Sequence, residues 1–164
     1  MELAVLIGLQ ASGKTTFYRR HLAATHTHVS KDLFGRSSRR KQHRQLRLIA
    51  EALDAGHSVA VDNTNPSPQE WAPLIELGRR YGARVTAYWF PPDVPGAVLR
   101  NAARPAEIRV PDIGIYATLK RLRAPRPGDG FDALYTVGLD GAGGFTVTET
   151  PRTGEGTASA PERP

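Results

Sequence analysis

Leu3-Ala4-Val5-Leu6-Ile7-Gly8-Leu9-Gln10-Ala11-Ser12-Gly13-Lys14-Thr15-Thr16 begins with a short apolar run and ends in Gly-Lys-Thr, with four residues between its two glycines. An ordinary helical sequence follows. This is the strand–loop–helix setting that the phosphate-loop pattern G-x-x-x-x-G-K-[ST] requires. Gly8 and Gly13 let the backbone take conformations that a Cβ would forbid. The N–H groups of the loop, through Gln10, Ala11, Ser12 and Thr16, can then face phosphate oxygens, and the helix N-terminus adds its positive end. Lys14 supplies a positive charge for the β- and γ-phosphates of ATP. The Thr15 hydroxyl is suited to Mg²⁺. The competing explanation is a chance glycine-rich turn, and the strand before and helix after count against it.

The bulk properties narrow the rest. The 164 residues suit one domain with a proper core. No apolar run is long enough to cross a membrane. The N-terminus has no basic segment before its apolar run, so no signal peptide is expected. Cysteine is absent, which excludes thiol catalysis and cysteine zinc sites and fits the cytoplasm. The net charge is +6, and residues 31–48 alone carry that much: Lys31, Arg36, Arg39, Arg40, Lys41, Arg44 and Arg47 face one acid, Asp32. A second basic cluster is Lys120, Arg121, Arg123 and Arg126. Such concentration suggests an anionic partner beyond ATP, with nucleic acid first. The alternative is a solvated helix face.

Further along, residues 14–24 read as a helix and 26–30 as a weak strand. Its His26 and His28 lack a third metal-ligand candidate nearby and are expected to face solvent. A helix is expected over 36–55, with Leu46, Ile49, Ala50 and Leu53 on one side and Arg36, Arg40, Arg44 and Arg47 on another. Residues 58–62 form the next buried strand, ending in Asp62, and Asn63-Thr64-Asn65-Pro66 is a turn. Ser67-Pro68-Gln69-Glu70 carries a capping box and an N1 proline. The helix it opens runs to about Tyr81, with Trp71, Leu74, Ile75 and Leu77 as core candidates. Pro73 should bend it or delay its start. A strand over 84–90, helices over 94–103 and 112–122, and a hairpin of two last strands complete the body, 1–150. The remainder, 151–164, is too polar and proline-rich to fold and reads as a disordered tail.

Alternating strands and helices predict an α/β P-loop NTPase sandwich: a parallel sheet with helices on both faces. Ligands then sit at the carboxyl ends of the strands, where Gly8, Asp32 and Asp62 converge. Phosphoryl transfer needs positioning, charge stabilisation and a carboxylate to accept the acceptor's proton. Asp32 is the candidate base; the alternative is a helix cap. Asp62 resembles a second acid of the metal side, holding Mg²⁺ through water or bonding Thr15; the alternative is a turn residue. Arg100 and Arg104, one turn apart before a loop, suit a short lid that neutralises charge on the triphosphate; the alternative is surface solubility.

Gly8–Thr16, His28-Val29-Ser30-Lys31-Asp32, Val61-Asp62-Asn63-Thr64-Asn65-Pro66, Arg100-Asn101-Ala102-Ala103-Arg104 and Val110-Pro111-Asp112 together resemble the kinase domain of polynucleotide 5′-hydroxyl kinases. The resemblance spans about residues 3–139. It implies transfer of the γ-phosphate of ATP to a 5′-hydroxyl end of DNA or RNA. It implies Asp32 as the base at the 5′-hydroxyl, Lys14 and Thr15 serving ATP and Mg²⁺, Asp62 in support, and Arg104 with Arg100 on the lid. Phage-type members carry an arginine three residues after the base. Gly35 stands there in this chain, leaving Arg36, Arg39 or Arg40 for the substrate phosphate. The main competing acceptor is a small-molecule hydroxyl on a nucleoside, sugar or antibiotic. A non-catalytic nucleotide- or nucleic-acid-binding module is the third class.

Overall fold

The computed structural model describes residues 1–151. Six strands form one sheet in the order β2-β3-β1-β4-β5-β6. β1 (Glu2–Ile7) lies at the centre, parallel to β3 (Ser58–Asp62) and β4 (Arg84–Trp89). β2 (His26–Val29) pairs in parallel with β3 at one edge. β5 (Ala133–Leu139) is parallel to β4, and β6 (Phe145–Glu149) returns antiparallel to it as the expected hairpin. The predicted parallel α/β architecture is therefore present. From residue 152 onward the expected tail lies outside the described residues.

The two sheet faces are covered unequally. α2 (Lys41–Asp54) and α3 (Pro68–Arg80) pack on the face of Leu3, Val5 and Ile7, where Ile49, Leu53, Trp71 and Leu74 are buried. On the opposite face Ala4 and Leu6 meet Phe17 and Leu22 from the short segment after the phosphate loop. α4 (Val94–Ala102) and α5 (Asp112–Arg121) close over Leu9 through Ala97 and Ile115. This third layer stands at the carboxyl ends of β1 and β4, where the loop begins.

Several local expectations need correction. The basic helix begins at Lys41, not near residue 36. Gly35, Ser37 and Ser38 are weak helix formers, and Phe34 is buried with the Arg44 guanidinium 4.5 Å over its ring. Arg36, Arg39 and Arg40 thus lie in a loop, and Arg40 enters α2 with φ 60°. They share no helix face with Arg44 and Arg47. The first helix, α1, is α-helical only over Lys14–Phe17 and continues as a π-turn over Tyr18–Leu22. His26 and His28 do not face solvent: the His26 side chain is 7% exposed beside Glu2, and His28 bonds Asp62. α3 starts at Pro68 and runs through Pro73 without a late start. Its capping box takes another form, with Ser67 Oγ donating to Glu70 Oε2 at 2.5 Å while neither side chain caps the backbone.

The turn after β3 ties the sheet to the phosphate loop. Asn65, 3% exposed, donates from Nδ2 to the Leu6 carbonyl at 2.7 Å. Its own carbonyl accepts from Trp71 Nε1 at 2.6 Å. Its φ of 42° lies in the left-handed region that asparagine tolerates better than most side chains. Asn65→Ala therefore loses a buried hydrogen bond and meets backbone strain, an expected loss of about 2–4 kcal/mol. Asn65→Gly keeps the dihedral and should cost less. Urea denaturation of the two variants measures the difference, and equal losses would remove the dihedral from this account.

Candidate active site

The phosphate loop spans β1 and α1. Gly8 is required by space rather than dihedral: a Cβ there would lie 2.8 Å from Phe90 Cβ. Gly13 is required by dihedral, with φ 95° at the helix start. Ala11 takes φ 55° without being glycine. Gln10 reaches out of the loop, and its Nε2 donates to Thr118 Oγ1 on α5 at 2.8 Å. Thr15 and Thr16 are exposed at the first turn of α1.

Lys14 is buried, 7% exposed, and folded back on its own loop. Its Nζ donates to the Gly8 carbonyl at 3.0 Å, the Leu9 carbonyl at 2.5 Å and Ser12 Oγ at 3.2 Å. Burial above all, against the pull of Asp62 and Asp32 and with help from the Arg104 charge, lowers its pKa to about 8. The charges of Asp32, Asp62 and Arg104 thus all act on this ammonium.

The two carboxylates sit in opposite environments. Asp62 is 5% exposed, and its Oδ2 accepts from Thr15 Oγ1 at 2.7 Å and faces His28 Nε2 at 3.0 Å. Burial pushes this carboxyl up, but the His28 and Thr15 hydrogen bonds and the Lys14 charge outweigh it, so it is held below the usual range. Asp32 is exposed, in the 3₁₀ turn Lys31–Leu33. Ser30 fixes that turn by accepting from the Asp32 N–H at 3.3 Å. Asn63 fixes it from β3, accepting from the Lys31 N–H at 2.9 Å while donating to buried Gln45 at 2.6 Å. Among the described residues the Asp32 carboxylate itself has no hydrogen-bond partner.

The lid follows α4. Asn101 is fully buried and brackets Val110, donating to its carbonyl at 2.6 Å and accepting from its N–H at 3.0 Å. This closes residues 102–109 into a loop that presents half-buried Arg104. Arg100 has a different environment: its Nε donates to the Ala11 carbonyl at 2.6 Å, and its NH1 lies 3.6 Å from Asp93. Arg36 reaches the lid, donating from NH2 to the Glu107 carbonyl at 2.8 Å. Arg39 and Arg40 are exposed beside it. A cavity of about 250 Å³ lies beside Ser12, lined by Phe90, Asp93, Arg100, Gly138 and Leu139. The site thus has a phosphate loop, one bound and one free carboxylate, and a basic rim.

A family profile described as AAA domain matches residues 3–125. The chain belongs to this AAA domain family. Its fold is shared with a chain of the Pnkp1/Rnl/Hen1 RNA repair complex at TM-score 0.64 and 23% identity, covering 74% of this chain and 43% of that one. A fungal RNA kinase matches at TM-score 0.61 and 19% identity, over 85% of this chain and 39% of its own. A sugar kinase from Janibacter sp. HTCC2649 matches at TM-score 0.62 and 18% identity, over 83% of this chain and 85% of its own. This AAA domain therefore spans about two fifths of the length of the two RNA-directed neighbours. The fold is common to all three.

The phosphate loop, Asp32, Asp62 and Arg104, all named from the sequence, come together. Arg100 both grips the loop at Ala11 and lines the cavity beside Ser12. His28, Asn63 and Gln45 were not anticipated. For His28 the one sequence signal is its two-residue spacing from His26, which puts both on one side of β2.

The state of Lys14 is testable by pH. Its folded pKa of about 8 lies below its ordinary value of 10.5, so between those values the unfolded chain binds more protons. The contribution of Lys14 to stability therefore rises as pH increases from about 8 to about 10.5 and is constant below. Without nucleotide, the melting temperature of the wild type minus that of Lys14→Met should increase over this window. A flat difference would mean that the ammonium is not buried in the free protein.

Proposed function

We propose that this AAA domain is an ATP-dependent polynucleotide 5′-hydroxyl kinase. One observation carries the reading: Asp32 is exposed, its carboxylate has no hydrogen-bond partner among the described residues, its charge acts on Lys14, and it heads a loop bearing Arg36, Arg39 and Arg40. A carboxylate kept free at that place suits proton removal from an incoming hydroxyl. A basic rim suits an acceptor with several phosphates. The RNA-directed activity named for two fold neighbours supports the same acceptor class.

In this mechanism the loop N–H groups from Gln10 to Thr16 cradle the donor phosphates, and Lys14 leaves its carbonyl partners for the β- and γ-oxygens. The cavity beside Ser12 leaves room for the nucleoside end of ATP. The Thr15 hydroxyl and, through water, the Asp62 carboxylate fit Mg²⁺, because they are the hard oxygen donors beside the loop. Bound there, the ion would supply positive charge to offset that of the triphosphate. Asp32 accepts the proton of the 5′-hydroxyl as its oxygen bonds to the γ-phosphorus. The bond to the β–γ bridging oxygen breaks, and ADP leaves. Arg104 offsets the charge that builds on the phosphoryl oxygens. Arg100 acts on the donor side through Ala11. Arg36, Arg39 and Arg40 hold the phosphate nearest the reacting end.

The second reading, a kinase of a small-molecule hydroxyl, has one specific support: the sugar kinase neighbour is of nearly the same length. Radiolabel transfer from ATP to 5′-hydroxyl oligonucleotides decides between them. Label in a metabolite hydroxyl and none in DNA or RNA would overturn the polynucleotide reading. Asp32→Asn should reduce transfer by about 10²–10⁴-fold, the range general-base catalysis supplies, while leaving ATP affinity within about twofold of the wild type. Full activity of that variant would remove Asp32 as the base.

The basic rim gives a separate expectation. Oligonucleotide affinity should fall steeply with salt, and Arg36→Ala should reduce the slope of log K against log salt by about 0.7, the value for one single-strand phosphate contact. Fluorescence anisotropy with a labelled oligonucleotide measures it. An unchanged slope would assign Arg36 to the Glu107 bridge alone.

A further inference from the structure

Behind the phosphate loop lies a chain of contacts that the proposed reaction does not use. The Tyr18 ring stacks on the His28 ring, with centroids 4.1 Å apart and planes 12° from parallel. The Tyr18 hydroxyl donates to the His26 carbonyl at 3.0 Å. His28 Nε2 meets Asp62 Oδ2 at 3.0 Å, and the same oxygen accepts from Thr15 at 2.7 Å. The same Asp62 oxygen already accepts from Thr15, so His28 Nε2 is the donor to it. The helix is unusual at this point: Tyr18–Leu22 is a π-turn, closed by the Ala23 N–H on the Tyr18 carbonyl at 2.9 Å. Such turns make up well under 1% of residues and concentrate at functional sites.

The arrangement has a mechanical consequence. Asp62 Oδ2 would be free to turn about its side-chain bonds if Thr15 alone held it. With His28 on the same oxygen, the carboxylate plane is fixed from β2 and the Thr15 hydroxyl is fixed in turn. His28 itself is kept from rotating by the Tyr18 ring. Because β2 is an edge strand with β3 as its one neighbour, the same stack also pins the strand that leads to Asp32.

We infer that His28, clamped by Tyr18, is a positioning residue that orients Asp62 and through it the Thr15 hydroxyl for the metal-bound triphosphate. This rests on Thr15 and Asp62 as the metal side of the site and is independent of which hydroxyl accepts the phosphate. It parallels the way outer-sphere partners set ligand orientation in metal sites.

The test measures equilibrium binding of a fluorescent ATP analogue with and without Mg²⁺, beside thermal melting. In His28→Leu, which fills the space without a donor, the Mg²⁺-dependent gain in affinity should fall about tenfold, while metal-free affinity stays within about twofold. His28→Gln can place an N–H near the same point and should restore most of the gain. Tyr18→Leu should lose part of it, and Tyr18→Phe, which keeps the stacked ring, should not. A structural role alone would lower the melting temperature of His28→Leu and His28→Gln together without separating their Mg²⁺ responses. The inference is overturned if His28→Leu retains the full gain, or if His28→Gln loses as much as His28→Leu. Should His28→Leu fail to fold, the Tyr18 pair carries the same comparison, and equal gains in Tyr18→Leu and Tyr18→Phe overturn it. A wild type with no Mg²⁺-dependent gain would overturn the metal assignment itself and this inference with it. Loss of oligonucleotide transfer with an intact Mg²⁺ response would instead fall on the acceptor assignment.

Discussion

The hydrogen bonds at the carboxyl end of β1 govern everything built above them. The Leu6 carbonyl is taken by Asn65 from the turn after β3, and the Gly8 N–H by the Thr64 carbonyl of that turn. On the other side the Phe90 N–H takes the Ile7 carbonyl. The chain therefore leaves the sheet between two fixed neighbours, with no freedom in the residues just before the phosphate loop. Gly8 follows from this confinement, since its close neighbour is Phe90 at the end of β4. A loop that must present several N–H groups to one anion depends on such a fixed departure point. Each N–H contributes fully only if its direction is set before the ligand arrives.

This constraint explains which parts of the structure were legible in the sequence. The apolar runs of β1, β3 and β4 are buried on both faces and carry no alternation, so their length and their glycine or proline ends identify them. Trp71, Leu74, Ile49 and Leu53 follow helical spacing because α2 and α3 each bury one stripe. The stretch from Arg36 to Arg40 was misread as helix because repeated arginines at three- and four-residue spacing imitate a helix face. What decides its shape is tertiary: Phe34 turns inward beneath Arg44, and Arg36 is drawn to the Glu107 carbonyl on the lid. Neither contact leaves a trace in local periodicity.

The same distinction holds for the site. Lys14, Thr15 and Gly13 follow from the loop pattern itself, and Asp32 and Asp62 from their places at strand ends. His28 was set aside because a His-x-His pair with no third metal-ligand candidate assigned to it was expected to face solvent. Its partner, Asp62, is 34 residues away and reaches it by the pairing of β2 with β3. Arg100 shows the opposite error. Its spacing from Arg104 suggested two equivalent lid arginines, but one helical turn separates a side chain that grips the Ala11 carbonyl from one that does not.

The two carboxylates show how environment divides a common chemistry. Asp62 is buried, accepts two hydrogen bonds on one oxygen, and stays ionised because the stabilising partners exceed the cost of burial. A group so engaged is a poor proton acceptor and a good anchor. Asp32 has backbone partners for its turn but, among the described residues, no hydrogen-bond partner for its carboxylate, and it is exposed to solvent. Each would fail in the other's place: an exposed Asp62 could not hold Thr15, and a buried, doubly bonded Asp32 could not meet an incoming hydroxyl. The residues that separate them are uncharged or only conditionally charged. Ser30, Asn63 and Gln45 fix the turn of Asp32 without touching its oxygens, and His28 fixes Asp62 from behind. On the proposed reading, the division of roles between the two carboxylates therefore rests as much on these supports as on the phosphate loop.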